Sequence, residues 1–115
     1  MTVEELSLAI LPSEIGSVFN IEKIIEDAES TTFILYEKEE LIPKALAGKE
    51  VVLDGFCNQL ELLHFPHKGK PLYLRLYRRR WKEKGGTEHI SNTYHLHDPG
   101  MRVTRDFGAF LKAAL

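Results

Sequence analysis

Apolar and polar positions alternate most regularly in the second half of the chain. In Leu72-Tyr73-Leu74-Arg75-Leu76-Tyr77 every second residue is leucine, the period of a strand with one buried face. The pattern predicts a strand over Leu72 to Trp81. A strand over Gln59 to Phe65 precedes it, joined through a turn at Pro66-His67-Lys68-Gly69-Lys70 in which Gly69 is free to take positive φ. Gly85-Gly86 predicts a second turn, and Thr87 to Leu96 a third strand, which together make an antiparallel meander.

The first half is less regular. Val18 to Glu26 and Thr32 to Tyr36 are rich in β-branched and aromatic residues, and the polar Asp27-Ala28-Glu29-Ser30 between them predicts a hairpin. Thr2 with Glu5 has the form of a capping box, which predicts a short helix over Val3 to Ile10 that Pro12 and Gly16 end. A helical turn is expected over Leu41 to Ala47, with Pro43 near its start. Thr104 can cap a final helix from Arg105 to Leu115, with Phe107, Phe110, Leu111 and Ala114 on one stripe. The expected fold class is α+β, a single small domain over residues 1–115 with a hairpin and meander sheet, a short N-terminal helix and a C-terminal helix.

Charge sharpens this picture. The net charge of −2 conceals a division after Leu63: residues 1–63 carry four basic and thirteen acidic residues, net −9, and residues 64–115 carry eleven and four, net +7. One reading is that the basic half meets an anionic partner. The other is that the halves fold together and neutralise each other. The seam is expected between Pro43 and Gly55.

The basic half places its charges beside aromatic rings. On the predicted strand Leu72, Leu74 and Leu76 take the core face, and Tyr73, Arg75, Tyr77 and Arg79 take the other. Guanidinium groups match phosphate oxygens, and rings stack on bases or on guanidinium planes. Beyond Leu76 the inner positions become Arg78 and Arg80, so the strand is expected to leave the core there. Arg78, Arg79, Arg80, Lys82 and Lys84 would form a basic fingertip, joined by Lys68 and Lys70 if the turns lie close. The competing reading is an edge strand protected by charge.

Other chemistry is weakly represented. Five histidines include His64-x-x-His67 and His95-x-His97, but the cysteine pairs of a zinc site are absent, so no metal and no cofactor are expected. The single cysteine, Cys57, excludes a disulfide within the chain and fits a reducing cytoplasm. No phosphate-binding loop, dinucleotide fingerprint or nucleophile elbow occurs, so no catalytic residue is assigned and no enzyme is expected. A small metal-dependent nuclease would need convergent carboxylates, which the scattered acidic residues do not supply. No apolar stretch approaches the roughly 20 residues of a membrane helix, and the start has no basic region followed by an apolar one. A cytoplasmic protein without a membrane partner is therefore expected.

Several short features occur in a suggestive order: Gly55-Phe56, then Leu63-His64-Phe65-Pro66-His67-Lys68-Gly69-Lys70-Pro71-Leu72-Tyr73-Leu74-Arg75, then Arg78-Arg79-Arg80-Trp81, then Gly100-Met101-Arg102-Val103-Thr104-Arg105-Asp106-Phe107. Over about half of the chain, from Gly55 to Phe110, this resembles the N-terminal-region proteins of certain bacterial insertion-sequence transposases. More distantly it is similar to the zinc-ribbon head of transposases with an aspartate-aspartate-glutamate core, although Trp81-Lys82-Glu83-Lys84-Gly85-Gly86 stands where that pattern has cysteine pairs. The resemblance implies a non-catalytic DNA-binding accessory region of a mobile element. Its partners would be the transposon ends and a catalytic transposase chain, separate or encoded downstream. It points to Lys68, Lys70, Arg75, Arg78, Arg79, Arg80 and Trp81, with Arg102 and Arg105 around the last helix. Tyr73, Tyr77, Lys82 and Lys84 join them on charge and ring character. The alternative function is a protein-interaction module that docks on the catalytic subunit through the acidic half, around Glu22, Glu26, Glu37, Glu39 and Glu40.

Overall fold

The computed structural model describes residues 10–114, so the helix expected over Val3 to Ile10 lies almost wholly outside the described residues. Ser13–Gly16 forms a single helical turn, α1, after Pro12. The expected hairpin follows as β1 (Phe19–Glu26) and β2 (Thr31–Glu37), paired antiparallel. Its turn is closed by the Asp27 carboxylate, which accepts the Glu29 and Ser30 N–H groups at 2.7 and 2.8 Å. The turn at Leu41 to Ala47 is a short 3₁₀ segment, Lys44–Leu46, with Pro43 at its cap.

β4 (Leu60–His67) and β5 (Lys70–Tyr77) form the second hairpin. Pro66 and His67 belong to the strand. The turn itself is Lys68-Gly69, with φ of 54° and 76°, the doubly left-handed backbone that two-residue hairpins require. The four-stranded sheet has the order β1-β2-β5-β4, and β2 runs parallel to β5. The basic strand is therefore central, with β2 of the acidic hairpin directly beside it. The division in charge is not a division in space.

The expected single strand from Leu72 to Trp81 is broken at Arg78. After Tyr77 the chain leaves the main sheet, and β6 (Arg79–Glu83) pairs with β3 (Val51–Phe56) in a separate two-stranded ribbon. β3 lies inside the stretch read as a seam. The expected third strand, Thr87 to Leu96, is irregular: only Ile90 bridges Trp81. Asn92 of this segment pairs elsewhere: it donates to the Leu41 carbonyl, and its own carbonyl accepts from Arg78. The meander is thus replaced by a mixed sheet and a ribbon, within the α+β class that the pattern predicts. The described residues span 49 × 33 × 22 Å.

One sheet face is sealed. Phe33, Leu35, Leu62, Leu72, Leu74 and Leu76 are each at most 2% exposed and pack beneath Leu11, Ile15, Phe19 and Leu96. His64 continues this face and is 4% exposed. Its Nε2–H donates to the Ile10 carbonyl at 3.1 Å, which leaves Nδ1 to accept from the Thr104 hydroxyl at 2.7 Å. Thr104 Oγ1 in turn accepts the Phe107 N–H at 3.4 Å, so the predicted cap of the last helix, α2 (Arg105–Ala114), also anchors the imidazole. Phe107 faces β4 through Phe65, whereas Phe110, on the same stripe, is 55% exposed. Among the described residues no helix is long and apolar enough to cross a membrane.

Burial holds the His64 pKa below its ordinary value. The folded state therefore binds its proton less readily than the unfolded chain does. The stability this contributes is present above about pH 6.5 and is lost as pH falls toward the depressed folded value. Urea denaturation is expected to give a lower midpoint at pH 5 than at pH 7.5, and His64→Gln is expected to flatten that difference. An equal slope in both proteins would exclude the imidazole as its source.

Candidate nucleic-acid interface

Alternation along β5 sends Tyr73, Arg75 and Tyr77 to the face opposite the leucines, as expected. All three are half-buried. β2 adds Thr32, Ile34 and Tyr36 beside them, in register with Tyr73, Arg75 and Tyr77. Tyr36 and Tyr77 meet edge to face at 5.6 Å, and Phe56 of the ribbon lies 4.8 Å from Tyr36 and 5.9 Å from Tyr77. The Arg79 guanidinium sits 5.2 Å over the Phe56 ring. Rings and guanidinium groups thus share one surface. The sequence reading missed Tyr36 and Phe56. Tyr36 has the outward parity of Thr32 and Ile34, a usable signal, but Phe56 reaches the site only through the ribbon.

The two arginines of this surface have partners. Arg75 meets Glu61 at 3.2 Å, and Arg79 Nη2 lies 3.8 Å from Glu39. Arg79 Nε donates to the Glu37 main-chain carbonyl at 2.6 Å, which orients the guanidinium without neutralising it. Glu61 and Glu39 are 43% and 72% exposed. Ion pairs that open to water contribute only about 0.2–1 kcal/mol, less than the roughly 1–3 kcal/mol of a base stacked on a ring, so a ligand can displace them.

The crossover from β5 to β6 is fixed by a buried carboxylate. Glu37 is fully buried and, among the described residues, has no side-chain cation partner. It accepts the Arg79 main-chain N–H at 2.8 Å, the Asn92 amide at 3.0 Å and the Tyr94 hydroxyl. Burial and the adjoining carboxylate raise the Tyr94 pKa far above the ordinary phenol value. The hydroxyl therefore stays protonated, and a donor to Glu37, at neutral pH.

The expected fingertip does not form. The Lys68 turn and the Arg78–Lys84 segment lie at opposite ends of the eight-residue β5, about 26 Å apart at strand spacing. Lys70 is engaged by the Asp27 carbonyl at 2.7 Å and by Glu26 at 3.5 Å. Arg78 and Arg80 are half-buried and donate to the Asn92 and Asp54 carbonyls at 2.7 and 3.0 Å. Lys82 lies 4.0 Å from Asp54. Lys84, Arg102 and Arg105 are exposed, with Arg105 opening the final helix.

Trp81, expected at the contact, is 5% exposed, because its position in the ribbon turns the indole inward. Its emission is accordingly expected to be blue-shifted and unchanged when nucleic acid is added. A spectral response to an oligonucleotide would place the indole in the contact after all.

Comparison of this chain with family models, with curated proteins and with solved structures gives no match.

Proposed function

We propose that this protein is a non-catalytic nucleic-acid-binding module, the DNA-binding accessory region of an insertion-sequence transposase. One observation carries the reading: Tyr36, Tyr73, Arg75 and Tyr77 project from one face of the four-stranded sheet and are met there by Phe56 and Arg79 of the ribbon, a surface that stays half exposed while the opposite sheet face is sealed. A four-stranded sheet is broader than the helix or two-stranded ribbon that a major groove admits, and paired bases keep their flat sides stacked. Unpaired bases offer those sides to tyrosine rings, while phosphates meet the guanidinium groups. The DNA of a transposon end would thus be held where its strands are separated. The resemblance noted from Gly55 to Phe110 supplies the setting, in which a distinct chain performs the chemistry.

The test is fluorescence anisotropy with a labelled single strand and the matching duplex. The single strand is expected to bind more tightly. Its log affinity should fall with log salt at about 0.7 per phosphate neutralised, or about 1.4 if Arg75 and Arg79 each meet one. Equal weak binding of both forms with no salt dependence would contradict the proposal.

A further inference from the structure

A cleft of about 350 Å³ opens at the end of β5, at the margin of the leucine-bearing face, lined by Asn58, Gln59, Leu60, Arg78, Tyr94, Leu96 and Arg102 among others. Its two guanidinium groups come from segments 24 residues apart, and β4 and its lead-in tie both in place. The Cys57 N–H donates to the Arg78 carbonyl at 2.9 Å, and the Leu63 N–H donates to the Arg102 carbonyl at 2.9 Å. Arg78 Nη1 is held by the Asn92 carbonyl at 2.7 Å, which aligns the group and leaves its charge and its other donors free. Leu60 and Leu96 belong to the main core and its margin and give the cleft an apolar part. The Tyr94 hydroxyl is committed to Glu37, so Tyr94 offers the cleft a ring. Gln59 Oε1 accepts from Tyr77 at 2.7 Å, and that bond leaves the amide donors of Gln59 available and links the cleft to the open face.

We infer that this cleft seats one nucleotide unit, its phosphate on Arg78 and Arg102 and its base against Leu60, Leu96 and Tyr94. Asn58 and Gln59 lie within the same lining to hydrogen-bond the base edge. The volume falls in the range of small-molecule sites, and two guanidinium forks beside apolar walls match a ligand that is anionic at one end and flat at the other. The choice of ligand rests on the nucleic-acid reading above, and a free nucleotide and a nucleotide within a strand share this chemistry.

Calorimetric titration of the full chain with dTMP, with thymidine and with inorganic phosphate tests it. dTMP is expected to bind at least about tenfold more tightly than either fragment. Arg102→Gln, at an exposed position that leaves the core intact, should weaken dTMP by about tenfold or more, and Arg102→Lys should restore part of the loss. Phosphate binding as tightly as dTMP, or Arg102→Gln binding dTMP unchanged, overturns the site. A single-stranded oligonucleotide separates the sources. If dTMP binds and the strand does not, the cleft stands as a free-nucleotide site and the interface reading fails. If the strand binds and neither dTMP nor Arg102→Gln has any effect, the interface reading stands and the cleft fails.

Discussion

Replacing Glu37 with alanine is expected to cost about 3 kcal/mol or more, the largest stability loss among the polar residues described. The carboxylate is fully buried and satisfies the Arg79 N–H, the Asn92 amide and the Tyr94 hydroxyl together. Alanine leaves the Arg79 N–H and the Tyr94 hydroxyl without an acceptor, each at about 1–3 kcal/mol, leaves Asn92 only its bond to the Leu41 carbonyl, and opens a void as well. A domain of this size is stable by about 5–15 kcal/mol, so the variant would lose a large part of its margin. Glu37→Gln keeps one acceptor oxygen and should lose less. Urea denaturation of the three proteins checks the order. An alanine variant as stable as the wild type would remove Glu37 from its place as the anchor of the β5 to β6 crossover.

The second large effect concerns binding. Tyr73→Leu with Tyr77→Leu is expected to weaken a single-stranded oligonucleotide about 30-fold or more, since each stacked ring contributes about 1–3 kcal/mol. At position 77 leucine retains apolar volume against Tyr36 and Phe56 but has no π face and loses the hydroxyl bond to Gln59, so the circular dichroism spectrum should be kept while the unfolding midpoint falls modestly. The mirror-face substitution Leu74→Ala is the control. It should cost about 2–5 kcal/mol of stability because Leu74 is fully buried, while the protein that remains folded binds as the wild type does. Equal affinity of the double leucine variant and the wild type would locate binding elsewhere.

What could be read from the sequence was local. The leucine parity of residues 72–76, the hairpin around Asp27, the cap at Thr104 and the left-handed turn at Gly69 all involve neighbours a few residues apart, where sterics and periodicity decide. What could not be read was remote pairing. Val51-Val52-Leu53-Asp54-Gly55-Phe56 is interrupted by a bulge at which Gly55 takes φ of 81°, and its partner strand is β6, more than twenty residues later. The parallel contact of β2 with β5 leaves no trace in either segment. By composition Glu37 falls with Glu39 and Glu40 in the acidic surface of the docking alternative. Yet it continues the inward parity of Thr31, Phe33 and Leu35, the one clue to its burial. Arg78 and Arg102 share no period that would announce the cleft they line. The charge asymmetry was legible, but its meaning was not, because the central position of β5 sets basic and acidic strands side by side.

The most direct measurement is the mapping of backbone amide shifts by nuclear magnetic resonance as an unlabelled single-stranded oligonucleotide is added to labelled protein. The account predicts that the shifts concentrate on Thr32 to Tyr36, Tyr73 to Tyr77, Phe56 and Arg79, and that the Lys68 turn and the last helix stay quiet. Shifts confined to those two quiet regions, or no shifts at low salt, would contradict it.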